Sequence, residues 1–340
     1  MLITSTPFRV SFFGGGTDLP SFYRLEPGRV LSTTISAHMY ITVHRLSPLY
    51  PFKYRLSYSR TELAKSVAEI QHPVFRECLK FLRIKDPMEI TSIADIPART
   101  GLGSSSSFTV GLLHALHAFK GEYVSPEQLA EEACHVEIDL LKEPVGRQDQ
   151  YAAAFGGLRR YTFIDDGTVS ACPVICRAET LRKLFDSLLM FYVGGSREAR
   201  GILKAQNARA AENISHLRSL RDLCGEGELI LRKGPTAING FGELLHEAWR
   251  LKKNLCPRIS SPAIDGWYAR GRKAGALGGK LLGAGGTGFL LFFAPKKTHP
   301  RLRRALNDLA EQPVVFEPEG SRLIYVGRDH TSPRPRRRSG

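Results

Sequence analysis

Apolar residues follow different spacings in different parts of the first half of the chain. Where β-branched and aromatic residues cluster between glycines and prolines, the pattern is typical of strands and hairpins. It predicts strands over 8–13, 30–46 and 88–93. Apolar residues at three- and four-residue spacings predict helices over 62–82, 108–119 and 128–141. Pro73 lies inside the first helical range and predicts a break between two helices.

The second half alternates short apolar strands with amphipathic helices. Short strands are expected from Gly156 to Cys176. Later helices are predicted around 197–225, 238–253 and 261–276, and strands over 188–193, 280–282, 288–293 and 322–325. Mixed helices and antiparallel strands predict an α+β fold. Because 340 residues exceed the size at which single cores stop growing, we expect two domains with a boundary between 165 and 185.

The formal net charge of +15 raises the question of an anionic partner. Four arginines lie in the segment 329–340, which we expect to be a disordered basic tail because 331–340 contains two prolines and no apolar residue. Nucleic-acid binding by this tail is the alternative to simple solvation. Elsewhere, lysines and arginines are dispersed and no aromatic RNA-binding signature accompanies them. The charge therefore favours a basic pocket for phosphorylated ligands, with no nucleic-acid partner expected.

Cysteine spacing and apolar run length bear on the compartment. The six cysteines form neither a CxxC pair nor a spacing typical of zinc sites, so we interpret them as reduced thiols. The first residues lack the basic and apolar regions of a signal peptide. Apolar runs such as 289–294 are too short to span a bilayer, so no membrane association is expected. These features predict a cytoplasmic enzyme.

The clearest chemical motif is the segment 101–107, which reads Gly-Leu-Gly-Ser-Ser-Ser-Ser. It lies between a predicted strand and a predicted helix, where unpaired N–H groups and the helix dipole attract an anion. The serines could donate to phosphate oxygens or offer a hydroxyl to magnesium. The alternative is an ordinary helix cap after a flexible turn. The segment is not a Walker A loop, because no Lys-Ser or Lys-Thr follows its glycines.

Two further glycine clusters follow predicted strands. Residues 283–288 match GxGxxG, but the strand-like run 289–293 follows them, whereas a dinucleotide fingerprint opens a helix. We therefore expect a tight strand-to-strand loop close to a ligand, with a plain glycine-rich hairpin as the alternative. Residues 14–18 read Gly-Gly-Gly-Thr-Asp, and the carboxylate of Asp18 suits sugar hydroxyls.

Two carboxylates complete the candidate chemistry. Phosphoryl transfer needs a cation to neutralise the transferred group and a residue to orient the acceptor hydroxyl. Glu137 lies on the predicted helix 128–141, where a solvated surface glutamate is the alternative to a metal ligand. Asp149 lies in 144–150, which we interpret as a turn. A buried aspartate needs a cationic partner, and Arg9 on the first strand is the candidate.

With these residues, the chain resembles the GHMP kinases. The resemblance rests on three motifs in the family's order, at 7–18, 97–107 and 282–288, and extends over residues 5–328. It implies a two-domain α+β fold with a ribosomal-protein-S5-like N-terminal domain over 1–175 and a ferredoxin-like C-terminal domain over 176–328. The active site would lie between them, and ATP and Mg²⁺ would be the cofactors. A homodimer is left open.

The resemblance also implies roles for individual residues. The ATP phosphates would contact Gly101, Leu102, Gly103, Ser104, Ser105 and Ser106. Ser105, or its neighbour Ser104, would hold magnesium together with Glu137. Asp149 would be the catalytic aspartate, and Arg9 would stabilise the acceptor or the transferring phosphoryl group. The acceptor would contact Gly15, Gly16, Thr17, Asp18, Gly285 and Gly286.

Within the family, the triple glycine 14–16 and the stretch 146–157 are most similar to kinases of D-glycero-D-manno-heptose 7-phosphate. Galactokinases instead carry Gly-Glu-His-Thr-Asp at 14–18. The resemblance implies phosphorylation of the anomeric hydroxyl, giving a 1,7-bisphosphate for cell-envelope polysaccharide synthesis. Another sugar kinase, of the fucose, arabinose or galactose type, or a non-catalytic sugar or ATP sensor, are the alternatives.

A second substrate phosphate needs basic residues near the pocket. Arg147, Arg197 and Arg200 are candidates, and we favour surface solvation for each.

Overall fold

The computed structural model describes residues 1–98, 100–194, 199–209 and 211–327. The basic segment 329–340 and Arg197 lie outside these ranges, and so does the side chain of Arg200. No helix in the described ranges is both long enough and apolar enough to cross a bilayer.

Strands and helices alternate along both halves of the chain. The strands are β1 (Leu2–Phe13), β2 (Gly28–Arg45), β3 (Tyr54–Ser57), β4 (Thr61–Ala64), β5 (Met88–Ala94), β6 (Leu158–Phe163), β7 (Val169–Pro173), β8 (Leu188–Gly194), β9 (Gly278–Leu281), β10 (Gly288–Phe293), β11 (Ala310–Gln312) and β12 (Arg322–Val326). The helices are α1 (Pro20–Tyr23), α2 (Pro73–Phe81), α3 (Ser104–Lys120), α4 (Pro126–Cys134), α5 (Gln148–Phe155), α6 (Ala178–Asp186), α7 (Ala199–Ala208), α8 (Ile214–Lys233), α9 (Asn239–Leu255), α10 (Pro262–Lys273) and α11 (His299–Ala305). A π-helical segment, His135–Leu140, continues α4. The predicted α+β class is confirmed.

The first sheet has eight strands built around the long strand β2. Its path runs β12-β1-β2-β5-β3-β4, and β6 pairs with the first part of β2 and with β7. Helix α3 lies against β1 and β2, and the Thr4 hydroxyl donates to the Gly111 carbonyl oxygen at 2.9 Å. The core side chains of β1 are fully buried, including Phe8, Val10 and Phe12. The Arg9 backbone N–H also donates to the Leu102 carbonyl oxygen at 3.0 Å, so the middle of β1 lies close to the start of α3.

The second sheet has four antiparallel strands in the order β11-β8-β10-β9. Taken in chain order, its elements run strand, helices, two strands, helix, strand, which is the βαββαβ arrangement of ferredoxin-like folds. Strand β10 is buried along its whole length, and Gly288–Phe293 forms the apolar centre of the sheet. The two sheets therefore correspond to the two units that the sequence led us to expect.

The last strand returns to the first sheet. Strand β12 pairs with β1, with Leu2 opposite Val326 and Ser5 opposite Arg322. Residues 322–326 thus lie in the sheet of the N-terminal half, although they follow the second sheet in the chain. The division of the chain after residue 175 stays a prediction.

Two sequence-based assignments differ from the structure, and a third is confirmed. Residues 61–64 form strand β4 rather than the start of a helix, because the chain turns back there to pair with β3. The break predicted at Pro73 is confirmed, because the 3-10 helix Val67–Glu69 ends before it and α2 begins at Pro73, where proline is tolerated since no N–H partner is needed. Asp149 lies in the first turn of α5 rather than in a loop, because Ala152, Ala153 and Ala154 favour continued helix.

Candidate active site

Backbone contact brings the central and late glycine segments together. Gly101 has a φ of +84°, and a Cβ atom there would lie 2.7 Å from the Leu282 carbonyl oxygen. Gly283 has a φ of +70°, and its Cβ would lie 2.5 Å from the Gly101 Cα atom. Side chains are excluded on both sides of this contact. The loop before α3 and the hairpin between β9 and β10 are therefore held backbone to backbone.

The N-terminus of α3 has no side-chain cap. Its N-cap residue is Gly103, in the left-handed conformation, and no side chain in the described part of the chain caps the first turn. The Ser107 hydroxyl instead donates to the Pro7 carbonyl oxygen at 2.8 Å, and Ser105 is exposed. An ordinary serine cap is thus not what the structure contains. The open N–H groups at this helix end suit an anion such as a phosphate.

Glu137 is buried beside α3, with only 3% of its surface exposed. Its carboxylate accepts hydrogen bonds from the Ser106 hydroxyl at 2.8 Å, from the Thr109 hydroxyl at 2.6 Å and from the Gln150 side-chain amide. Burial raises the pKa of Glu137 to about 7, while these three hydrogen bonds oppose the rise. The alternative of a solvated surface glutamate is therefore wrong.

The Glu137 carboxylate fits a magnesium ligand. A carboxylate offers about four lone-pair positions, so three donors leave one free. Hydroxyl and carboxylate oxygens are the hard ligands that Mg²⁺ prefers, and Ser106 supplies a hydroxyl at the same place. The sequence pointed to Ser105 or Ser104 for this role. The structure brings Ser106 to the carboxylate instead, because Ser106 and Thr109 share one face of α3.

Arg9 and Asp149 form a bidentate ion pair. The Arg9 Nε atom donates to Asp149 Oδ1 at 2.8 Å, and an Nη atom donates to Oδ2 at 2.7 Å. The other Nη atom of Arg9 donates to the Gly101 carbonyl oxygen at 2.6 Å. The predicted pairing of these residues is confirmed. One guanidinium thus ties the aspartate to the loop before α3.

Asp18 is buried near this ion pair and receives three N–H donors. These are the Gly16 backbone amide at 2.9 Å, and the backbone amide and side chain of Gln148 at 3.3 and 3.1 Å. Burial raises the pKa of Asp18, and the nearby negative charge of Asp149 raises it further. A side chain at Gly146 would collide with Asp18 Oδ2, because its Cβ would lie only 1.9 Å away.

An open cavity connects these groups. Its walls include Arg9, Asp149, Asp18, Gly15 and Gly16. The structure therefore gathers most of the predicted acceptor and catalytic residues around one space.

Three predicted acceptor-binding residues lie elsewhere. The Thr17 hydroxyl is fully buried, lies 2.8 Å from the carbonyl oxygens of both Gly14 and Arg29, and accepts from the Arg29 backbone N–H, so it holds the loop in shape. Gly286 donates its backbone N–H to the Ile259 carbonyl oxygen, and a Cβ at Gly285 would lie 2.8 Å from the Ile259 Cα atom. These glycines pack against the chain around residue 259. Their predicted contact with the acceptor stays a prediction.

Two lysines of the cavity wall were missed by the sequence reasoning. Lys252 lies on α9 and Lys280 lies on β9, and both side chains are buried. Lys280 could have been found, because it is the single charge in the apolar stretch 276–282. Lys252 carries no such signal, since a lysine on an amphipathic helix is usually solvated. Arg147, considered for a second phosphate, donates instead to the Gly167 carbonyl oxygen.

Comparison with known proteins agrees with this geometry. The GHMP kinases N terminal domain model matches residues 62–157 and the GHMP kinases C terminal model matches residues 230–314, together more than half of the chain. D-glycero-alpha-D-manno-heptose 7-phosphate kinase of Campylobacter jejuni is 26% identical over 89% of this chain and 92% of its own length. Bifunctional fucokinase/GDP-fucose pyrophosphorylase of Arabidopsis thaliana is 25% identical over 90% of this chain and 31% of its own length.

A solved structure shares the fold. It is a D-glycero-D-manno-heptose 1-phosphate kinase from Bacteroides thetaiotaomicron, which superposes with a TM-score of 0.79 at 22% identity, covering 96% of this chain and all of that one. The matched segments include the loop before α3, Glu137, Asp149 and the hairpin between β9 and β10. The chain belongs to the GHMP kinase family.

Proposed function

We propose that this kinase transfers the γ-phosphoryl group of ATP to the anomeric hydroxyl of a phosphorylated heptose, D-glycero-D-manno-heptose 7-phosphate, giving the 1,7-bisphosphate. The observation that carries the proposal is the Arg9–Asp149 ion pair, which lies between the uncapped end of α3 and the cavity that contains Asp18. A phosphate group on one side and a sugar hydroxyl on the other would meet at this pair.

On the donor side, the first turn of α3 and the backbone of 101–103 would bind the ATP phosphates. Glu137 and Ser106 would hold Mg²⁺, which when bound neutralises charge on the transferred phosphoryl group. Arg9 has five N–H donors and uses three of them on Asp149 and Gly101. The remaining two would donate to oxygens of the phosphoryl group while the ion pair stays intact.

On the acceptor side, Asp18 would accept hydrogen bonds from sugar hydroxyls, and Asp149 would accept one from the attacking hydroxyl. The acceptor oxygen then bonds to the γ-phosphorus while the bond from that phosphorus to the bridging oxygen breaks. The bridging oxygen leaves on ADP with the electron pair, and the hydroxyl proton passes to Asp149 and from there to water. Because the guanidinium fixes both oxygens of Asp149, the main contribution of this residue is orientation.

The heptose phosphate is favoured by the name of one relative and by the glycines before Asp18, which differ from the galactokinase pattern. A free hexose of the fucose type is the second candidate, because a relative of similar identity is named a fucokinase. A non-catalytic sensor is disfavoured, because Arg9 is paired with Asp149 and Glu137 is hydrogen-bonded to Ser106 at the start of α3.

An acceptor screen tests the proposal. ATP consumption is coupled to NADH oxidation for a panel of free sugars and sugar phosphates, and the product is examined by ³¹P NMR for an anomeric phosphate. We expect kcat/KM for the heptose 7-phosphate to exceed that for any free sugar. Turnover of a free hexose alone would replace the heptose assignment, and no ATP consumption with any acceptor would favour the sensor.

A further inference from the structure

Lys252 and Lys280 approach the cavity from two elements of the second half. Lys252, on α9, is 8% exposed, and its ammonium group donates to the carbonyl oxygens of Leu281 and Gly283 at 3.2 and 2.5 Å. Lys280, on β9, is 5% exposed and donates to the Phe12 carbonyl oxygen at 2.8 Å. Both lysines line the same space as Asp18.

No carboxylate in the described part of the chain forms an ion pair with either lysine. Asp149, which lines the same cavity, is already paired with Arg9. Burial lowers the pKa of Lys252 to about 7, with the positive charge of Arg9 as the second cause. Burial also lowers the pKa of Lys280, and Lys252 and Arg9 lower it further. A buried ammonium group without an anion is costly. In the free protein, Lys252 and Lys280 therefore lack a negatively charged partner.

The ammonium groups keep unused hydrogen-bond donors. Each has three N–H donors, of which Lys252 uses two and Lys280 uses one on backbone carbonyls. Three donors therefore remain for a group in the cavity. An oxyanion with several acceptor oxygens matches this number, as a phosphate monoester does.

The cavity also indicates which phosphate would bind. Its walls contain Gly15, Gly16 and Asp18, but none of the described residues of the loop 100–107. The lysines thus share this space with the residues predicted to bind the acceptor.

We propose that Lys252 and Lys280 form an anion site that binds the phosphate group which the acceptor carries before the reaction. This inference rests on the proposed function, because it requires the acceptor to be a sugar phosphate. A purely structural role, in which the lysines only hold the carbonyls of Phe12, Leu281 and Gly283, is the competing account.

Binding without ATP separates the two accounts. Titration calorimetry at pH 8 measures the Kd of inorganic phosphate and of the heptose 7-phosphate for wild type, Lys252→Met and Lys280→Met. We expect each variant to weaken both ligands at least tenfold. Lys253→Met is the matched control, because Lys253 neighbours Lys252 on α9 but is more exposed and paired with Asp265 at 3.0 Å. It should bind phosphate as wild type does.

Thermal melting tests whether the two methionine variants fold. Methionine matches the length of lysine without its charge, so the anion-site account expects folded variants with melting temperatures at or above that of wild type. The structural account expects lower melting temperatures and unchanged phosphate binding by the folded fraction. If a variant does not fold, sulfate binding to wild type at pH 8 decides. Sulfate keeps its charge at this pH, so any proton taken up on binding goes to the protein. The uptake is measured by calorimetry in two buffers of different ionisation enthalpy. Proton uptake supports the site, and its absence overturns it.

Steady-state kinetics separates this inference from the proposed function. If wild type phosphorylates the heptose 7-phosphate but both methionine variants keep its KM, the anion site is wrong and the function stands. If wild type binds phosphate through the lysines but phosphorylates only free sugars, the proposed acceptor is wrong, and so is the inferred use of the site. A rise in the Kd of ATP alone would assign the lysines to the donor and overturn the inference.

Discussion

Asp149 is held in place before any substrate arrives, because both of its oxygens accept from one guanidinium. Arg9 is itself fixed by the Gly101 carbonyl oxygen and is almost completely buried. A removal of the aspartate charge therefore changes the reacting centre and leaves the arginine without its counter-ion. We therefore expect a substitution of Asp149 to affect turnover and nucleotide binding differently.

For Asp149→Asn we expect kcat to fall by about 10²- to 10⁴-fold, because the amide neither orients the hydroxyl as a carboxylate does nor accepts its proton. The Kd of ATP, measured by calorimetry, should remain close to that of wild type, since the open N–H groups of α3 are unaffected. Asp139→Asn is the matched control, because Asp139 is an exposed aspartate whose ion-pair partner among the described residues is His135. A variant at position 149 with near-normal kcat would contradict the assigned role.

The magnesium requirement tests the serines of α3 one at a time. The Ser106 hydroxyl contacts the Glu137 carboxylate, whereas Ser105 is exposed. We expect Ser106→Ala to raise the Mg²⁺ concentration for half-maximal activity about tenfold, because groups that orient a metal ligand affect metal affinity to this extent. Ser105→Ala should have the smaller effect. The reverse order would return the role to Ser105.

The buried lysine on α9 gives the protein a pH-dependent stability. The pKa of Lys252 is lowered from 10.5 to about 7 in the folded protein, so between these values the folded state binds fewer protons than the unfolded state. Stability from this group therefore rises with pH, and its cost is largest below pH 7. We expect Lys252→Met to be more stable than wild type at pH 6, by about 1 to 3 kcal/mol, and to lose this advantage toward pH 10.

Denaturant unfolding of wild type and Lys252→Met at pH 6, 8 and 9.5 measures the difference. Lys253→Met provides the control, because that lysine is paired and partly exposed. An advantage of the methionine variant that stays constant over this pH range would show that the lysine charge is not its cause.

Some residues of the site can be predicted from the sequence, and others cannot. Arg9, Asp18, Glu137 and Asp149 were found because each lies near a glycine motif or on the predicted helix behind one. The burial of Lys252 could not be found, because α9 must first pack against β9, which lies more than twenty residues later. Ser106 rather than Ser105 contacts Glu137 because of the rotation of α3, which a run of identical serines does not specify.

Among the secondary-structure elements, α3 and the hairpin between β9 and β10 depend on each other through Gly101 and Gly283. An added methyl group at Gly101 would collide with the Leu282 carbonyl oxygen, and the alanine would also have to adopt a positive φ. We expect Gly101→Ala to push the hairpin away from the loop, to weaken ATP binding at least tenfold, and to destabilise the fold by about 1 to 3 kcal/mol.

Gly121→Ala is the matched control for that change. Gly121 ends the same helix with a φ of +78°, but no atom lies within 4 Å of its added Cβ. It should cost about 1 kcal/mol through backbone strain alone and leave the Kd of ATP unchanged. Equal effects of the two substitutions on ATP binding would mean that strain, and not the contact with Leu282, explains the loss.

Elements with a local signal were predictable, and those defined by pairing were not. Helix α3 has a continuous apolar face and begins directly after a glycine loop, so its existence follows from its own residues. Strand β4 is four residues long and exists because β3 lies beside it. Its leucine and alanine fit a helical spacing equally well, which is why the sequence predicts a helix over 62–64.

At the scale of the whole molecule, β12 connects the end of the described chain to its beginning. Beyond the strand pairing, the hydroxyl of Ser321 lies 2.8 Å from that of Thr6 and 3.0 Å from His114 Nδ1. We expect deletion of 321–340 to lower the melting temperature by at least about 4 °C, because β1 loses its outer partner. Deletion of 328–340, which keeps β12, is the control. Equal melting curves for the two truncated proteins would show that β12 adds no stability.

Because β12 follows the second sheet in the chain, the first sheet can be completed only late in synthesis. Without β12, strand β1 is an edge of the first sheet, and its outer N–H and C=O groups have no strand to pair with. Leu2 is synthesised more than 300 residues before its partner Val326, and the whole second sheet lies between them in the chain. At bacterial or eukaryotic synthesis rates this interval lasts roughly 15 to 60 s. The nascent N-terminal half must therefore spend this time with an open sheet edge, a surface on which another chain can pair.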